Sequence, residues 1–317
     1  MKNLPFTKYS LTGSPLACPI CGSSKRTIIS KFDRRFKILP HSKCDECALL
    51  RHEFMLSDEQ LAEYYSKSYR NDYQWVNSGP TAKHIKKRVV EAKARLKKLQ
   101  PHLKKCPKVL DFGCGSGEFI DLMRDSGALA GGFEPGNLYA SYARDQKGLD
   151  VQNCGWDNYE CKEKFDFVTA FHVFEHLTHP LKAFKKAISW LNQDGLIYIE
   201  VPNMANSLKL KGFGSLHMAH TVGFGRYSLE LLGAFSGMVP LEVFDEYDIG
   251  IIFKKGQPRP LEEIKKNSLD EFRDFNLKQV NKQFWLYSIK KLYKKIFFTF
   301  LPPFLPWHQY QRLTSPL

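Results

Sequence analysis

Three glycines in five positions, Gly113, Gly115 and Gly117, close the stretch VLDFGCGSG at residues 109–117. An apolar run precedes them and a helical pattern, EFIDLMRDSG, follows. Glycine lets a ligand approach the backbone closely, because it carries no Cβ. The dinucleotide fingerprint G-x-G-x-x-G wants a third glycine for tight helix–strand packing, and here that place is held by Glu118. Asp111 lies two residues before the first glycine. A carboxylate at such a turn suits an ammonium group and is poorly suited to a diphosphate. Glu134, in GFEPG, follows Asp111 by 23 residues, the spacing of an acidic residue that accepts hydrogen bonds from both ribose hydroxyls. An ammonium-binding carboxylate, close glycines and a ribose-binding carboxylate together describe S-adenosylmethionine (SAM).

Two close cysteine pairs form a second constellation: Cys18 and Cys21 in CPICGSS, and Cys44 and Cys47 in CDECALL. Two C-x-x-C turns can complete a tetrahedral shell of four sulfurs around Zn2+. The 22 residues between them hold a strand-like run and a basic turn, enough for a small ribbon. Four cysteines leave no open coordination position, so such a zinc is structural. The alternative is two structural or redox pairs. Cys106, Cys114, Cys154 and Cys161 lack ligand spacing and read mostly as small buried hydrophobes.

Methyl transfer from a sulfonium is an in-line displacement that needs an aligned acceptor and usually removal of its proton. His172, His176, His179, His217 and His220 are candidate bases. His172 and His176 are four residues apart around Glu175, so one helical turn would put them on one side. His217 and His220 could bind a metal, but two ligands with no carboxylate nearby in sequence make a poor site. The competing reading of FEHLTHP is a structural loop and helix cap. His220 is the preferred base, ahead of His176 and His172; Tyr227 could contact substrate or pack.

The elements that must position these residues follow from periodicity. TAKHIKKRVVEAKARLKKLQ (81–100) places Ile85, Val89, Ala92 and Leu96 on one helical face, with its lysines on a solvated one. Ser57 and Gln60 form a capping-box pattern ahead of it. From 108, strands at 108–113, 129–135, 165–171 and 196–203 alternate with helices, including LKAFKKAISWLNQDG (181–195). That alternation predicts an α/β fold with a mostly parallel sheet, ending in an antiparallel hairpin formed by PLEVFDEYD and GIIFKKG. The expected organisation is a zinc-binding module (1–56), a helical linker (57–106), a SAM-binding domain (107–256) and a basic amphipathic extension (257–317).

The net charge of +14 is carried at the ends: +11 over 1–100, −4 over 101–274 and +7 over 275–317. A nucleic-acid enzyme wants positive potential around its active site, so the acidic middle argues against an RNA acceptor. The N-terminus lacks an apolar signal core, and the longest apolar run, IFFTFLPPFLPW, is too short and proline-broken to span a bilayer. A cytoplasmic protein is expected. The tail, with Phe284, Trp285, Ile289, Leu292, Tyr293, Ile296 and Phe297 among lysines, packs on the domain or on a second subunit, or touches an anionic inner-membrane surface.

VLDFGCGSGEF, GFEPG, FDFVTAFHVFEHLTHP, GLIYIEVPN and HMAHTVGFGRYSLELLGAFSGM resemble, in order, the motifs of class I SAM-dependent methyltransferases. The resemblance covers roughly residues 80–255 and implies a Rossmann-like sheet flanked by the zinc ribbon and a helical tail. It implies that Gly113, Gly115 and Gly117 line the methionine moiety and Glu134 the ribose. It also implies that Asp157, in CGWDNY, meets the adenine amino group, and that Phe171 and His172 flank the methyl donor. The segment with His217 and His220 corresponds to the family's substrate-contacting region. CPICGS with CDECALL resembles the zinc-binding head of a bacterial subgroup often active in sugar or surface-polysaccharide synthesis. The implied acceptor is a sugar nucleotide or glycan; an RNA methyltransferase and a non-catalytic interaction protein are the competing functions.

Overall fold

A computed structural model of the chain describes residues 6–9, 13–57, 60–61, 63–64, 79–161, 163–276, 278–280, 287 and 289. Between the cysteine pairs, β1 (Arg26–Phe32) and β2 (Ile38–Cys44) pair antiparallel. Asp33 holds their turn, its Oδ1 accepting from the amides of Arg35 and Lys37 at 2.9 and 3.0 Å. β3 (Leu50–His52) adds antiparallel to β2. The fourth strand of this sheet, β9 (Val222–Gly223), comes from far along the chain and pairs antiparallel with β3. The capping box ahead of the linker forms: Gln60 accepts from the Ser57 amide at 3.0 Å, and Ser57 accepts from the Gln60 amide at 3.2 Å.

The second sheet has seven strands. They are β4 (Lys108–Phe112), β5 (Leu129–Phe133), β6 (Asp150–Gln152), β7 (Phe165–Phe171), β8 (Leu191–Pro202), β10 (Met238–Asp245) and β11 (Asp248–Lys255). Their order is β10-β11-β8-β7-β4-β5-β6. β6, β5, β4, β7 and β8 run parallel, whereas β11 is antiparallel to both β8 and β10. The central strands are apolar along their length, as burial on both faces requires: Val109, Leu110, Phe112, Val168, Ile197 and Ile199 are all buried. Phe112, Phe133, Tyr159 and Trp190 stack beside them with neighbouring centroids 4.6–6.1 Å apart. Chain order reverses between β4 and β7, which makes the crevice beyond their C-terminal ends the natural ligand site.

Seven helices flank the sheets among the described residues. They are α1 (Ala82–Leu99), α2 (Glu118–Asp125), α3 (Asn137–Ser141), α4 (Pro180–Ser189), α5 (Met204–Lys211), α6 (Arg226–Ala234) and α7 (Leu261–Glu271). Thr81 caps α1, accepting from the His84 amide at 3.2 Å. The helix expected over 181–195 stops at Ser189. Trp190 and Leu191 turn into the core, Asn192 donates to Asp166 at 3.0 Å, and the remainder extends β8. Of the other cysteines, Cys106 is exposed and Cys114, Cys154 and Cys161 are only partly buried, which corrects the expectation of buried hydrophobes.

The cysteine-bearing head and the main domain share a core. Ile29, Ala48 and Leu50 pack with Met204, Leu208 and Phe213, and with Phe272, Phe275 and Val280 after α7. Ser268 donates to the Cys47 carbonyl at 2.8 Å, and Lys43 donates to the Phe272 carbonyl at 3.1 Å. Tyr287 lies 5.9 Å from Phe36 and 5.7 Å from Phe213, so this point of the tail packs on protein. Most of the stretch proposed to face a membrane lies outside the described residues. Among the described residues no helix is long and apolar enough to cross a membrane.

Candidate active site

At the end of β4 the chain makes its turn with Gly113, Gly115 and Gly117 all left-handed, at φ 72°, 59° and 81°. A Cβ on Gly117 would come within 2.5 Å of Leu149 Cδ1, whereas one on Gly115 would meet nothing within 4 Å. The first glycine is needed for packing; the second opens onto a cavity of about 300 Å³ that it lines. Asp111 and Glu134 line the same cavity. Glu134 is held in place by backbone amides, with Gly136 donating to Oε1 at 2.9 Å and Gly115 to Oε2 at 3.1 Å. A carboxylate oxygen can accept more than one hydrogen bond, so these amides orient Glu134 without using up its acceptor capacity in principle. Burial pushes the Asp111 carboxyl up to about 7, against the hydrogen bond from Thr169 Oγ1 (2.8 Å) and the Arg95 charge. Glu118 also lines the cavity; its Oε2 accepts from Ser116 at 2.8 Å and its buried Oε1 accepts no bond. Three carboxylates around one cavity favour a cationic ligand.

Asp157 lines the cavity beside Trp156, and Phe171 and His172 line it at the end of β7. α1 forms a further wall through His84, Arg88, Ala92 and Arg95. The expectation of a wholly solvated charged face on this helix is therefore corrected. Arg95 pairs with Glu200 on β8 (Nη2–Oε1 2.6 Å) and lies 4.4 Å from the centre of the Phe171 ring.

His172 also holds a left-handed backbone, φ 56°, which is unusual for a residue with a side chain. Its ring stands 3.4 Å from Glu175 Oε1, 3.6 Å from Glu200 and 3.5 Å from Asp248. Burial opposes its charge, yet Asp248 and Glu175 outweigh it and push the imidazolium up to about 10. His176 lines the cavity, and its Nδ1 donates to the Ala219 carbonyl at 2.6 Å. His220 packs on His176 (ring centres 5.0 Å apart) and on His217 (3.9 Å). Burial pushes the His217 and His220 rings well below their ordinary value, and the neighbouring positive charges add to this. His179 precedes α4 and does not line the cavity, and Tyr227 lines a different hollow beside Arg259.

Residues 82–232 match the family model described as "Methyltransferase domain". By this match the span is similar to a methyltransferase domain. The ubiquinone biosynthesis O-methyltransferase of Haemophilus ducreyi is 29% identical over 107 residues, 30% of this chain and 45% of the relative. The corresponding enzyme of Glaesserella parasuis is 30% identical over 111 residues, again 30% and 45%. The chain thus spans less than half the length of these curated relatives. The solved structure of magnesium protoporphyrin IX methyltransferase from Synechocystis, with bound SAH, aligns at a TM-score of 0.50 and 11% identity, covering 63% of this chain and all of that one. A toxoflavin-pathway N1-methyltransferase structure from Burkholderia thailandensis gives 0.50 and 13%, covering 69% and 96%. Both share the methyltransferase fold.

The methyltransferase domain carries the cysteine head on its β9 side. Cys18 Sγ lies 3.5 Å from Cys47 Sγ, and Cys21 Sγ lies 3.6 Å from Cys44 Sγ. All four sulfurs fall within 4.8 Å of one another. With metal–sulfur bonds of about 2.3 Å, a tetrahedral site has sulfur–sulfur edges of about 3.8 Å, so the four sulfurs fit such an ion. Reading the sequence alone missed Glu175, Arg95, Thr169 and Glu200 at the site. Glu175 was within reach, since it lies between two histidines already singled out. Arg95 reaches the cavity from α1, and Thr169 on β7 and Glu200 on β8 hold its lining residues Asp111 and Arg95, through contacts that no local spacing encodes.

Proposed function

We propose that the protein transfers the methyl group of SAM to a hydroxyl of a small acceptor, of the sugar-nucleotide or glycan class. The observation that carries the donor is the left-handed glycine turn with Asp111 and Glu134 at the switch point of the sheet. In this reading Asp111 meets the ammonium group, Glu134 the ribose hydroxyls and Asp157 with Trp156 the adenine. Phe171 walls the sulfonium end. His172, already a cation, positions carboxylates and is not the base. His176 and His220 remain the candidates to ionise the acceptor.

The reaction is an in-line displacement. The acceptor O–H loses its proton, the oxygen bonds the methyl carbon, and the S–CH3 electron pair returns to sulfur. Zn2+ in the Cys18, Cys21, Cys44 and Cys47 site would be structural, holding the head against the histidine segment. The sugar reading draws support from that head and from the basic charge of residues 1–100, which suits the diphosphate of a sugar nucleotide. The basic tail at 275–317 suits an acceptor at a membrane surface. A phenolic acceptor is the second reading, favoured by the ubiquinone-pathway relatives.

Methyl-labelled SAM, incubated with the protein and a panel of sugar nucleotides, envelope glycans, phenols and RNA, tests this directly. Label is expected in a sugar hydroxyl. Label in RNA alone would overturn the acceptor class, and no SAM binding by calorimetry would overturn the activity itself.

A further inference from the structure

Glu175 is 2% exposed, and among the described residues neither of its carboxylate oxygens accepts a hydrogen bond. Burying an ionised carboxylate in this way is costly unless a cation compensates it. Three imidazole nitrogens face its Oε1, His172 Nδ1 at 3.4 Å, His176 Nε2 at 3.8 Å and His220 Nε2 at 4.0 Å, and the last two gather with it on one side. The ligand atoms of Glu175, His176 and His220 fall within 4.8 Å of one another. His176 is oriented from behind. A carbonyl can only accept, so the bond to Ala219 fixes a proton on Nδ1 and turns Nε2 toward Glu175. A metal-ligating histidine almost always donates its other ring N–H in this manner. Thr221, next to His220, donates to the Glu175 and Leu177 carbonyls at 3.2 and 3.0 Å, which ties the two ligand-bearing segments together.

We propose that Glu175, His176 and His220 form a binding site for a divalent first-row transition-metal ion at the acceptor end of the methyl-donor cavity. Two imidazoles and a carboxylate leave coordination positions open for a substrate oxygen, unlike the closed four-sulfur site. Adjacent ligand atoms in such a site are about 3.0–3.4 Å apart, so the side chains draw in by about 0.5–1 Å on binding.

The inference rests on the proposed methyl transfer for its role. In this arrangement the metal, held by His176 and His220 as ligands instead of bases, would hold the acceptor hydroxyl and lower its pKa, the released proton passing to water. The resulting oxygen anion forms the O–CH3 bond as the S–CH3 bond breaks and its electron pair returns to sulfur. This gives a reason for a second histidine segment to pack beside the donor cavity.

The test uses the full chain with its thiolate site loaded with zinc and Mn2+ as the probe, since Mn2+ favours nitrogen and oxygen ligands over thiolate. Loss of the free-Mn2+ paramagnetic resonance signal is expected to report one bound ion per chain. His220→Ala, His176→Ala and Glu175→Gln should each weaken that binding by about tenfold or more. SAM affinity, measured in parallel, should change little in His220→Ala and Glu175→Gln, whose side chains do not line the donor cavity, and circular dichroism certifies the fold of all three variants. No Mn2+ binding, or binding that the three substitutions leave unchanged, overturns the site. Methyl transfer persisting at full rate after chelation overturns its role while leaving the methyltransferase reading intact. Loss of SAM binding by the unaltered chain would instead strike the methyltransferase reading, and the metal titration would still be decisive.

Discussion

Asp111 is a buried carboxyl whose protonation is linked to its ligand. Burial raises its folded pKa to about 7, with Glu134 and Glu118 adding to the rise and Thr169 and Arg95 opposing it. The unfolded value is about 3.9, so the folded state without ligand holds the proton more tightly. Its contribution to stability is therefore present at low pH and lost as pH rises from about 4 to about 7. An ammonium group reverses the preference by favouring the ionised form. SAM affinity should thus rise with pH up to about 7, approaching tenfold per unit for one linked proton. Calorimetry between about pH 5.5 and 7 checks this. Asp111→Asn should bind weakly with a flat profile, and a flat profile in the unaltered protein would refute the linkage. The glycines separate two costs. Gly115→Ala carries about 1–2 kcal/mol of left-handed strain, and its methyl enters the cavity, so SAM binding suffers more than stability. Gly117→Ala adds a clash with Leu149 and should lower the thermal midpoint further. These residues were legible in sequence because their constraint is local. Thr169, 58 residues from Asp111, was not.

At the scale of elements, α1 shows what a pattern of charges conceals. Its lysines do face solvent, but Arg95 is tied to Glu200, 105 residues away, through both Nε (2.8 Å) and Nη2 (2.6 Å). Tyr198 donates to the other oxygen of Glu200 at 3.0 Å, so the carboxylate is well supported where the cation meets it. Nothing in the periodicity of 81–100 distinguishes Arg95 from the lysines beside it. Arg95→Ala removes the closest cation from the nearly buried Glu200 and leaves it His172 at 3.6 Å and the Tyr198 hydroxyl, so the cost stays below the about 3–5 kcal/mol of a fully stranded charge. It also removes the cation over Phe171 at the cavity wall. Both a lower unfolding midpoint and weaker SAM binding are expected. Unchanged values in both measurements would mean that α1 is not fastened to the sheet through this pair. The strand and helix alternation of 108–255 was readable because buried parallel strands are apolar throughout. The end of α4 was not, because Trp190 and Asn192 answer to tertiary partners.

Across the whole molecule, the head and the methyltransferase domain meet at the segment that carries His217 and His220. The paired thiols were visible as spacing; the two-residue strand β9 was too short to leave a pattern. Yet β9 joins β3, the Thr178 hydroxyl donates to the Leu56 carbonyl at 3.1 Å, and the His52 amide donates to the Thr221 carbonyl at 3.0 Å. The glycine turn proposed to bind the donor lies on the other strands, at β4 and β5. Loss of the four-sulfur site should therefore reach the acceptor end first. Cys44→Ser is expected to open residues 13–57 to proteolysis and to reduce methyl transfer by about tenfold or more, the scale of a metal's supporting contacts. Its SAM affinity should stay within about twofold, because Asp111 and Glu134 are held, among the described residues, by hydrogen bonds from Thr169 and from the amides of Gly115 and Gly136, outside the head. A parallel fall in SAM affinity and turnover would show that the head supports the whole domain. Turnover unaffected in a protease-sensitive protein would show that the histidine segment holds its place without it.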